Sequence, residues 1–167
     1  MLRSVPLYGS RHSIGSVSEE ISAAIGASSL EGVTFSGGEP MQQVHALVDL
    51  MTRIRAAAPA ASMGMFTGYR QAELNDGQYA TRPSTSTPEK RSLWQEVRGN
   101  LDFAIMGRYD RTQPGTAPLR TSTNQKLVLF SSRYREQDFV QQFVEVVIDP
   151  DGKGVITGFL VLGSPVI

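Results

Sequence analysis

The feature that most constrains the fold is an alternation of helical and strand patterns along the first two thirds of the chain. Residues 16–25 and about 41–58 carry apolar side chains at helical spacing, whereas short apolar runs at 30–35, 62–69 and 101–106 predict strands. Strands that alternate with helices are typical of parallel βα units, because each helix returns the chain to the same edge of the sheet. We therefore predict an α/β fold.

The helical segments carry recognisable end signals. Ser16 and Glu19 fit a capping box at the start of the first helix, and Gly26 fits its end. Shorter helices are predicted at 71–74 and 93–97. The buried face of the second long helix is predicted to consist of Val44, Leu47, Val48, Met51 and Ile54.

Loops and a β-rich region account for much of the second half of the chain. Segments 75–90 and 112–122 are polar and predict loops. From Lys126 onward the chain is β-rich, and the turn signal at 149–152 predicts a hairpin or a small antiparallel addition. We expect one domain over 1–167: a frayed start (1–15), a βα core (16–125) and a β-rich extension (126–167).

Charge and hydropathy exclude several classes of partner. Lysine plus arginine and aspartate plus glutamate number 16 each, so no global field predicts binding to nucleic acid or to an anionic membrane. The sequence has no apolar run long enough for a membrane span, and its start lacks the apolar core of a secretory signal. A cytoplasmic location is the default expectation.

The 167 residues contain no cysteine. This composition excludes disulfides, thiolate zinc sites, cysteine nucleophiles and cysteine-ligated iron–sulfur clusters within these residues.

Glycines and polar residues mark the ends of three predicted strands. They occur in the segments 36–39, 67–69 and 107–109. Ligands of parallel α/β folds bind where strands end, so these three segments predict a binding site. In SGGEP (36–40), paired glycines let a ligand approach the main chain, and Glu39 can accept hydrogen bonds from an ammonium group. An ordinary tight turn with an exposed glutamate explains the same five residues equally well.

A hydrolase interpretation has less support. Ser36, His45 and Asp49 include the residue types of a catalytic triad, but no G-x-S-x-G segment presents a serine nucleophile. His45 and Asp49 are four residues apart on one predicted helix, so they are simple surface neighbours.

Four segments occur in the order found in one known group of enzymes. They are VTFSGGEPMQQ (33–43), FTGYRQAEL (66–74), LDFAIMGRYD (101–110) and LRTSTNQ (119–125). Together they resemble radical S-adenosylmethionine enzymes, and especially the glycyl-radical-enzyme activases of the anaerobic ribonucleotide reductase type. The resemblance covers about residues 16–130. It implies a partial (βα) barrel that lacks its first strand, whose exposed sheet edge an upstream segment or a partner would cover.

The resemblance also implies a set of cofactor contacts. Gly37, Gly38 and Glu39 would contact the methionine amino group of S-adenosylmethionine, with Arg108 facing its carboxylate. The resemblance assigns no contact to Asn124 or Gln125. The full set of implied cofactor-binding residues is Ser36, Gly37, Gly38, Glu39, Pro40, Thr67, Gly68, Tyr69 and Arg108.

One departure from the family concerns its chemistry. The family holds a 4Fe–4S cluster with the three thiolates of a CxxxCxxC motif, which this sequence lacks. Three interpretations remain open. The chain is the body of an activase whose true start lies upstream and which acts on a glycyl-radical enzyme such as anaerobic ribonucleotide reductase. It is a cluster-less pseudoenzyme that binds S-adenosylmethionine or a protein. Or it is a degenerate fragment.

Overall fold

The computed structural model of the protein describes residues 13–27, 30–139, 145–148 and 154–157. Within these residues the α-helices are α1 (Ile14–Ala27), α2 (Val44–Ala57), α3 (Gln71–Asn75) and α4 (Thr87–Asn100). The strands of the same ranges are β1 (Gly32–Phe35), β2 (Ser62–Thr67), β3 (Phe103–Met106), β4 (Lys126–Leu129), β5 (Glu145–Ile148) and β6 (Gly154–Thr157). The α/β prediction is confirmed.

A four-stranded sheet in the order β1-β2-β3-β4 organises the molecule. The pairs β1–β2 and β2–β3 are parallel, and β3–β4 is antiparallel. The carboxyl ends of β1, β2 and β3 therefore lie at one edge of the sheet, where the three glycine-bearing segments follow them. Over the residues that the structure describes, the sheet is open and mostly parallel, and no closed barrel is formed.

One face of α2 is buried in the core. Val44, Met51 and Ile54 are fully buried, Leu47 is nearly so, and Val48 is partly buried against the same cluster. The predicted buried face is thus confirmed, although a short 3-10 helix, Pro40–Gln43, precedes the α-helix. Trp94, the only tryptophan, is fully buried in this core.

Two helix predictions have wrong boundaries. The first helix begins at Ile14 rather than Ser16, because the Ser13 hydroxyl accepts the Ser16 N–H at 3.1 Å and so caps the helix earlier. The helix predicted at 93–97 begins at Thr87. The loop predicted over 75–90 is accordingly shorter, and Tyr79 within it is buried.

The C-terminal prediction is confirmed in part. The strands β5 and β6 pair antiparallel, whereas the turn predicted at 149–152 lies outside the described residues. The strand β4, however, belongs to the main sheet rather than to a separate addition, because it pairs with β3 along its whole length. Among the described residues, no helix combines the length and apolarity that a membrane crossing requires.

Asp102 fixes the amino-terminal end of β3. Its carboxylate accepts the Met63 N–H at 2.9 Å and the Ser131 hydroxyl at 2.6 Å, and it lies near the guanidinium groups of Arg55 and Arg133. Only 7% of Asp102 is exposed, so its carboxylate loses most of its hydration on folding, and these partners compensate for that loss. The contacts join β2, β3, α2 and the segment after β4 at the end of the sheet opposite the glycine segments.

Candidate functional site

The carboxylate of Glu39 connects the ends of β1 and β2. Its Oε1 accepts the Thr67 hydroxyl at 2.8 Å and the Met41 N–H at 3.0 Å, and its Oε2 accepts the Gly68 N–H at 2.8 Å. The Met41 contact also caps the 3-10 helix. A carboxylate has about four lone-pair sites, so three internal donors leave it room for one further donor.

The chain reaches Glu39 through a loop that requires glycine. Gly37 has φ = 86° and Gly38 has φ = 52°, a region that side-chain-bearing residues rarely adopt. Both glycines are exposed, and a Cβ built on either would contact nothing within 4 Å. Pro40 is the first residue of the 3-10 helix, as its fixed φ predicts. The main chain of this loop is therefore open to a ligand, and exposed Ser36 lies at its start.

A cavity of about 250 Å³ opens beside this loop. It is lined by Glu39, Gln42, Gly68, Tyr69 and Arg108. Gly68 lies between Glu39 and Arg108. A Cβ built on Gly68 would lie 3.5 Å from Glu39 Oε2 and 3.7 Å from Arg108 Cγ. The site thus presents a carboxylate, an aromatic ring and a guanidinium around a glycine.

Arg108 is held at the cavity by Glu73 and Tyr69. Its Nη1 donates to Glu73 Oε1 at 3.0 Å and to Oε2 at 3.1 Å, and its Cζ lies 5.5 Å from the centre of the Tyr69 ring. The Arg70 N–H donates to Glu73 at 2.8 Å, and this bond is the largest cause of a lowered Glu73 pKa. Burial partly opposes that lowering of the pKa, and Arg108 adds to it. The carboxylate is therefore ionised near neutral pH and pairs with Arg108 as an ion.

The Tyr69 ring is itself fixed. Its hydroxyl accepts the Ala80 N–H at 3.0 Å, and its ring lies 6.0 Å from that of Tyr79 in a tilted arrangement. Tyr79 in turn donates its hydroxyl to the Lys90 carbonyl at 2.6 Å, and burial raises its pKa to about 12. Tyr79 therefore stays neutral at physiological pH and supports the cavity wall as a hydrogen-bond donor.

The segment LRTSTNQ (119–125) fixes the main chain that carries Arg108. Asn124 Nδ2 donates to the Arg108 carbonyl at 2.7 Å, and Gln125 Nε2 donates to the Gly107 carbonyl at 3.3 Å. Gly107 has φ = 118°, and a Cβ on it would lie 3.1 Å from the Asn124 carbonyl oxygen. These contacts give Asn124 and Gln125 a role in holding the main chain around Arg108.

The structure brings part of the sequence-predicted site together. Glu39, Gly68, Tyr69 and Arg108 line one cavity, and Thr67 bonds to Glu39 behind it. Ser36, Gly37, Gly38 and Pro40 form the adjoining loop without lining the cavity. Sequence reasoning missed Gln42, which lines the cavity, and Glu73, which holds Arg108. Both lie inside quoted segments, but sequence spacing gave no sign that Glu73 meets Arg108, 35 residues away.

Comparison with known proteins identifies the family. A family model described as "4Fe-4S single cluster domain" matches residues 8–128, well over half of the chain. The chain therefore belongs to this family, which is of the radical S-adenosylmethionine type.

Curated relatives match a shorter region. The anaerobic ribonucleoside-triphosphate reductase-activating protein of Vibrio cholerae is 37% identical over 54 residues, which is 31% of this chain and 35% of the relative. The protein of the same name from Escherichia coli K12 is 40% identical over 50 residues, which is 29% of this chain and 32% of the relative. The chain thus matches about a third of the length of these relatives. No solved structure matches the chain.

The residues of this chain do not fit the cluster for which its family is named. Iron–sulfur clusters of this kind are held by cysteine thiolates, and the 167 residues include none. Within the described ranges, no group of three or more histidine, aspartate or glutamate side chains has the geometry to hold a metal ion instead.

Proposed function

We propose that this chain binds S-adenosylmethionine through its methionine end, in the cavity between Glu39 and Arg108. The observation that carries the proposal is the placement of Glu39. Its carboxylate is held rigidly by Thr67 and Gly68, lines the cavity and has capacity for one more donor. An α-ammonium group is a suitable donor, because a charge-assisted hydrogen bond is stronger than a neutral one.

The opposite wall suits the other charge of an amino acid. Each hydrogen bond that the described residues make to the Arg108 guanidinium is at Nη1, so its other edge can bind a carboxylate. A cavity of about 250 Å³ is smaller than the 300 Å³ or more typical of sites that enclose a drug-sized ligand. The cavity therefore matches the amino-acid end of the ligand better than the whole molecule.

The family and the relatives support a narrower form of the proposal. We infer that the chain contributes the cofactor-binding part of an activase of the anaerobic ribonucleotide reductase type, and that its fold is a partial (βα) barrel. The mostly parallel sheet and the reductase-activating relatives support this inference. A glycyl-radical reductase would then be the partner.

A second candidate function is favoured by the absence of cysteine. A chain with no thiolate to bind iron, but with an intact cavity wall, can serve as a cluster-less binding module for S-adenosylmethionine. Both candidates share the cofactor site and differ in whether a reductase acquires a glycyl radical.

Calorimetric titration with S-adenosylmethionine tests the shared site. Wild-type chain should bind one molecule per chain. Glu39→Gln should weaken binding at least about tenfold, since a lost charge-assisted bond costs about 1.5–3 kcal/mol. The matched control is Glu20→Gln, the same change at an exposed position of α1, and it should bind as wild type does. Equal affinity of wild type and Glu39→Gln would refute the site.

One variant of the glycine loop, compared with a control on α4, tests whether the ligand needs the bare main chain. Gly38→Ala should fold, because its Cβ would meet nothing within 4 Å, at a cost of about 1 kcal/mol for the positive φ. It should nevertheless abolish binding if the ligand contacts the loop. Gly99→Ala, on α4, is the control and should leave binding unchanged.

A separate experiment distinguishes the two candidates. The chain is expressed together with the in-frame coding sequence upstream of Met1, because the 167 residues themselves supply no thiolate for a cluster. The purified protein is incubated without oxygen with an anaerobic ribonucleotide reductase, S-adenosylmethionine, iron, sulfide and a reductant, and a glycyl radical is sought by electron paramagnetic resonance. A radical signal that depends on the chain would support the activase. S-adenosylmethionine binding without such a signal would support the cluster-less module.

A further inference from the structure

Glu73 is a charged residue next to the cavity, outside its lining, to which neither the family resemblance nor the relatives assign a role. Its side chain is 15% exposed, and its carboxylate accepts hydrogen bonds from two directions. The Arg70 N–H, at the N-cap of α3, donates to it from one side, and Arg108, just after β3, donates to it from the other. Glu73 thus connects two of the strand-end segments that surround the cavity.

Arg108 has few other restraints on its head group. Its side chain is 59% exposed, and a long exposed arginine loses considerable rotamer entropy when it is held in one place. Asn124 fixes only the Arg108 carbonyl. The guanidinium itself is held by the two Glu73 oxygens and by the face of Tyr69. Without the carboxylate, the cation–π contact would be the one remaining restraint on the head group among the described residues.

We propose that Glu73 is a positioning residue that holds the Arg108 guanidinium over Tyr69 so that its free edge recognises the carboxylate of the bound amino-acid ligand. This role rests on the proposed function, because it presupposes a carboxylate in the cavity. It does not make Glu73 a ligand contact, since Glu73 acts through Arg108. Selectivity for a ligand with an intact carboxyl group would then depend on a residue outside the cavity lining.

The experiment compares two ligands of one scaffold. S-adenosylmethionine and its decarboxylated form differ in the carboxyl group that Arg108 would bind. Titration of wild type with both ligands should show tighter binding of the carboxylate-bearing one. Glu73→Gln should weaken S-adenosylmethionine binding about tenfold and leave binding of the decarboxylated ligand unchanged. A purely structural role for Glu73 would weaken both ligands equally.

Two further variants keep the test decisive. Arg70→Gln is the matched control, because it removes the other cation of Glu73, at 3.4 Å, without touching Arg108. It should leave both affinities as in wild type. Arg108→Gln retains the Glu73 cap of α3, and it should lose the preference between the two ligands. Adding Glu73→Gln to Arg108→Gln should cause no further loss, because the two residues act as a unit.

The outcomes separate this inference from the proposed function. A wild-type chain that binds neither ligand would overturn both. A wild-type chain that prefers S-adenosylmethionine, with a Glu73→Gln variant that keeps the full preference, would overturn the positioning role alone. Tighter S-adenosylmethionine binding by Glu73→Gln would also overturn it, because Glu73 would then compete with the ligand for Arg108.

Discussion

The Thr67 hydroxyl donates a 2.8 Å hydrogen bond to the Glu39 carboxylate, which joins the end of β2 to the end of β1 across 28 residues of sequence. Thr67 is buried, so the bond is shielded from competition by water. The same hydroxyl accepts the Tyr69 N–H at 3.2 Å. One threonine thus helps to orient both the acidic group and the aromatic ring of the cavity.

Thr67→Val should destabilise the protein while preserving its shape. Valine has nearly the same volume but cannot donate to Glu39, and a hydrogen bond to a charged group contributes about 1.5–3 kcal/mol. We expect the free energy of unfolding to fall by about 2 kcal/mol in urea titrations monitored by the fluorescence of Trp94.

The control for this variant is Thr34→Val on β1. Thr34 is exposed, and the same chemical change there should alter the free energy of unfolding by no more than about 0.5 kcal/mol. Equal effects of the two substitutions would show that the Thr67–Glu39 bond contributes nothing beyond the ordinary cost of replacing a strand threonine.

Asp102→Asn should lower the free energy of unfolding markedly, although aspartate and asparagine are nearly the same size. The substitution removes the charge that faces Arg55 and Arg133 and leaves two guanidinium groups near a neutral amide. Breaking a buried pair in this way costs about 3–5 kcal/mol when one partner is removed, and somewhat less when a polar isostere remains. We expect a loss of about 2–3 kcal/mol, measured by urea unfolding.

Asp49→Asn provides the comparison on α2. Asp49 pairs with Arg53 at 2.8 Å, but both side chains are about half exposed, so the pair should contribute no more than about 0.5 kcal/mol. If the two aspartates proved equally important, burial would not be the reason for the effect at Asp102.

The sequence predicted the helix–strand alternation well because the pattern depends on local spacing. The buried face of α2 is an example, since the apolar period determines it. Boundaries were less predictable. The helix α4 begins six residues before Leu93, because its first two turns are polar and carry no apolar period.

The site could be predicted only in part, for a related reason. Glu39 and Arg108 follow strands, so their convergence at one edge of the sheet follows from parallel pairing. The Glu73–Arg108 pair instead depends on the direction in which α3, which follows Tyr69, points the Glu73 side chain. Long-range side-chain pairs of this kind leave no periodic signal in a single sequence.

Two glycine-to-alanine substitutions should have opposite effects on stability. Gly64 on β2 faces Phe103, and a Cβ there would overlap the Phe103 ring, so Gly64→Ala should cost about 1–3 kcal/mol. Gly99 lies near the end of α4 with open space around it, so Gly99→Ala should stabilise by about 0.5–1 kcal/mol. Thermal unfolding of the two variants would measure both effects. A stabilised Gly64→Ala would contradict the packing assigned to Gly64, and a destabilised Gly99→Ala would contradict the open space around Gly99.

The Glu73 pKa predicts a specific loss of stability in acid. Its pKa in the folded protein is lower than the ordinary value of 4.5, so folding favours the ionised form. The stability that this group contributes is present above pH 4.5 and is lost as the pH falls through the lowered folded-state pKa. Comparison of wild type with Glu73→Gln in urea titrations at successive pH values isolates this contribution. The two curves should converge in acid, with a slope difference of no more than about 1.4 kcal/mol per pH unit.

Arg108→Gln tests the cause of the lowered pKa. The Arg70 N–H is its largest cause, and Arg108 contributes less. Most of the acid dependence should therefore survive in Arg108→Gln, whereas it should vanish in Glu73→Gln. Loss of the acid dependence in both variants would mean that the ion pair with Arg108, rather than the cap of α3, keeps Glu73 ionised. In that case acid would release Arg108 from the cavity wall as soon as Glu73 took up its proton.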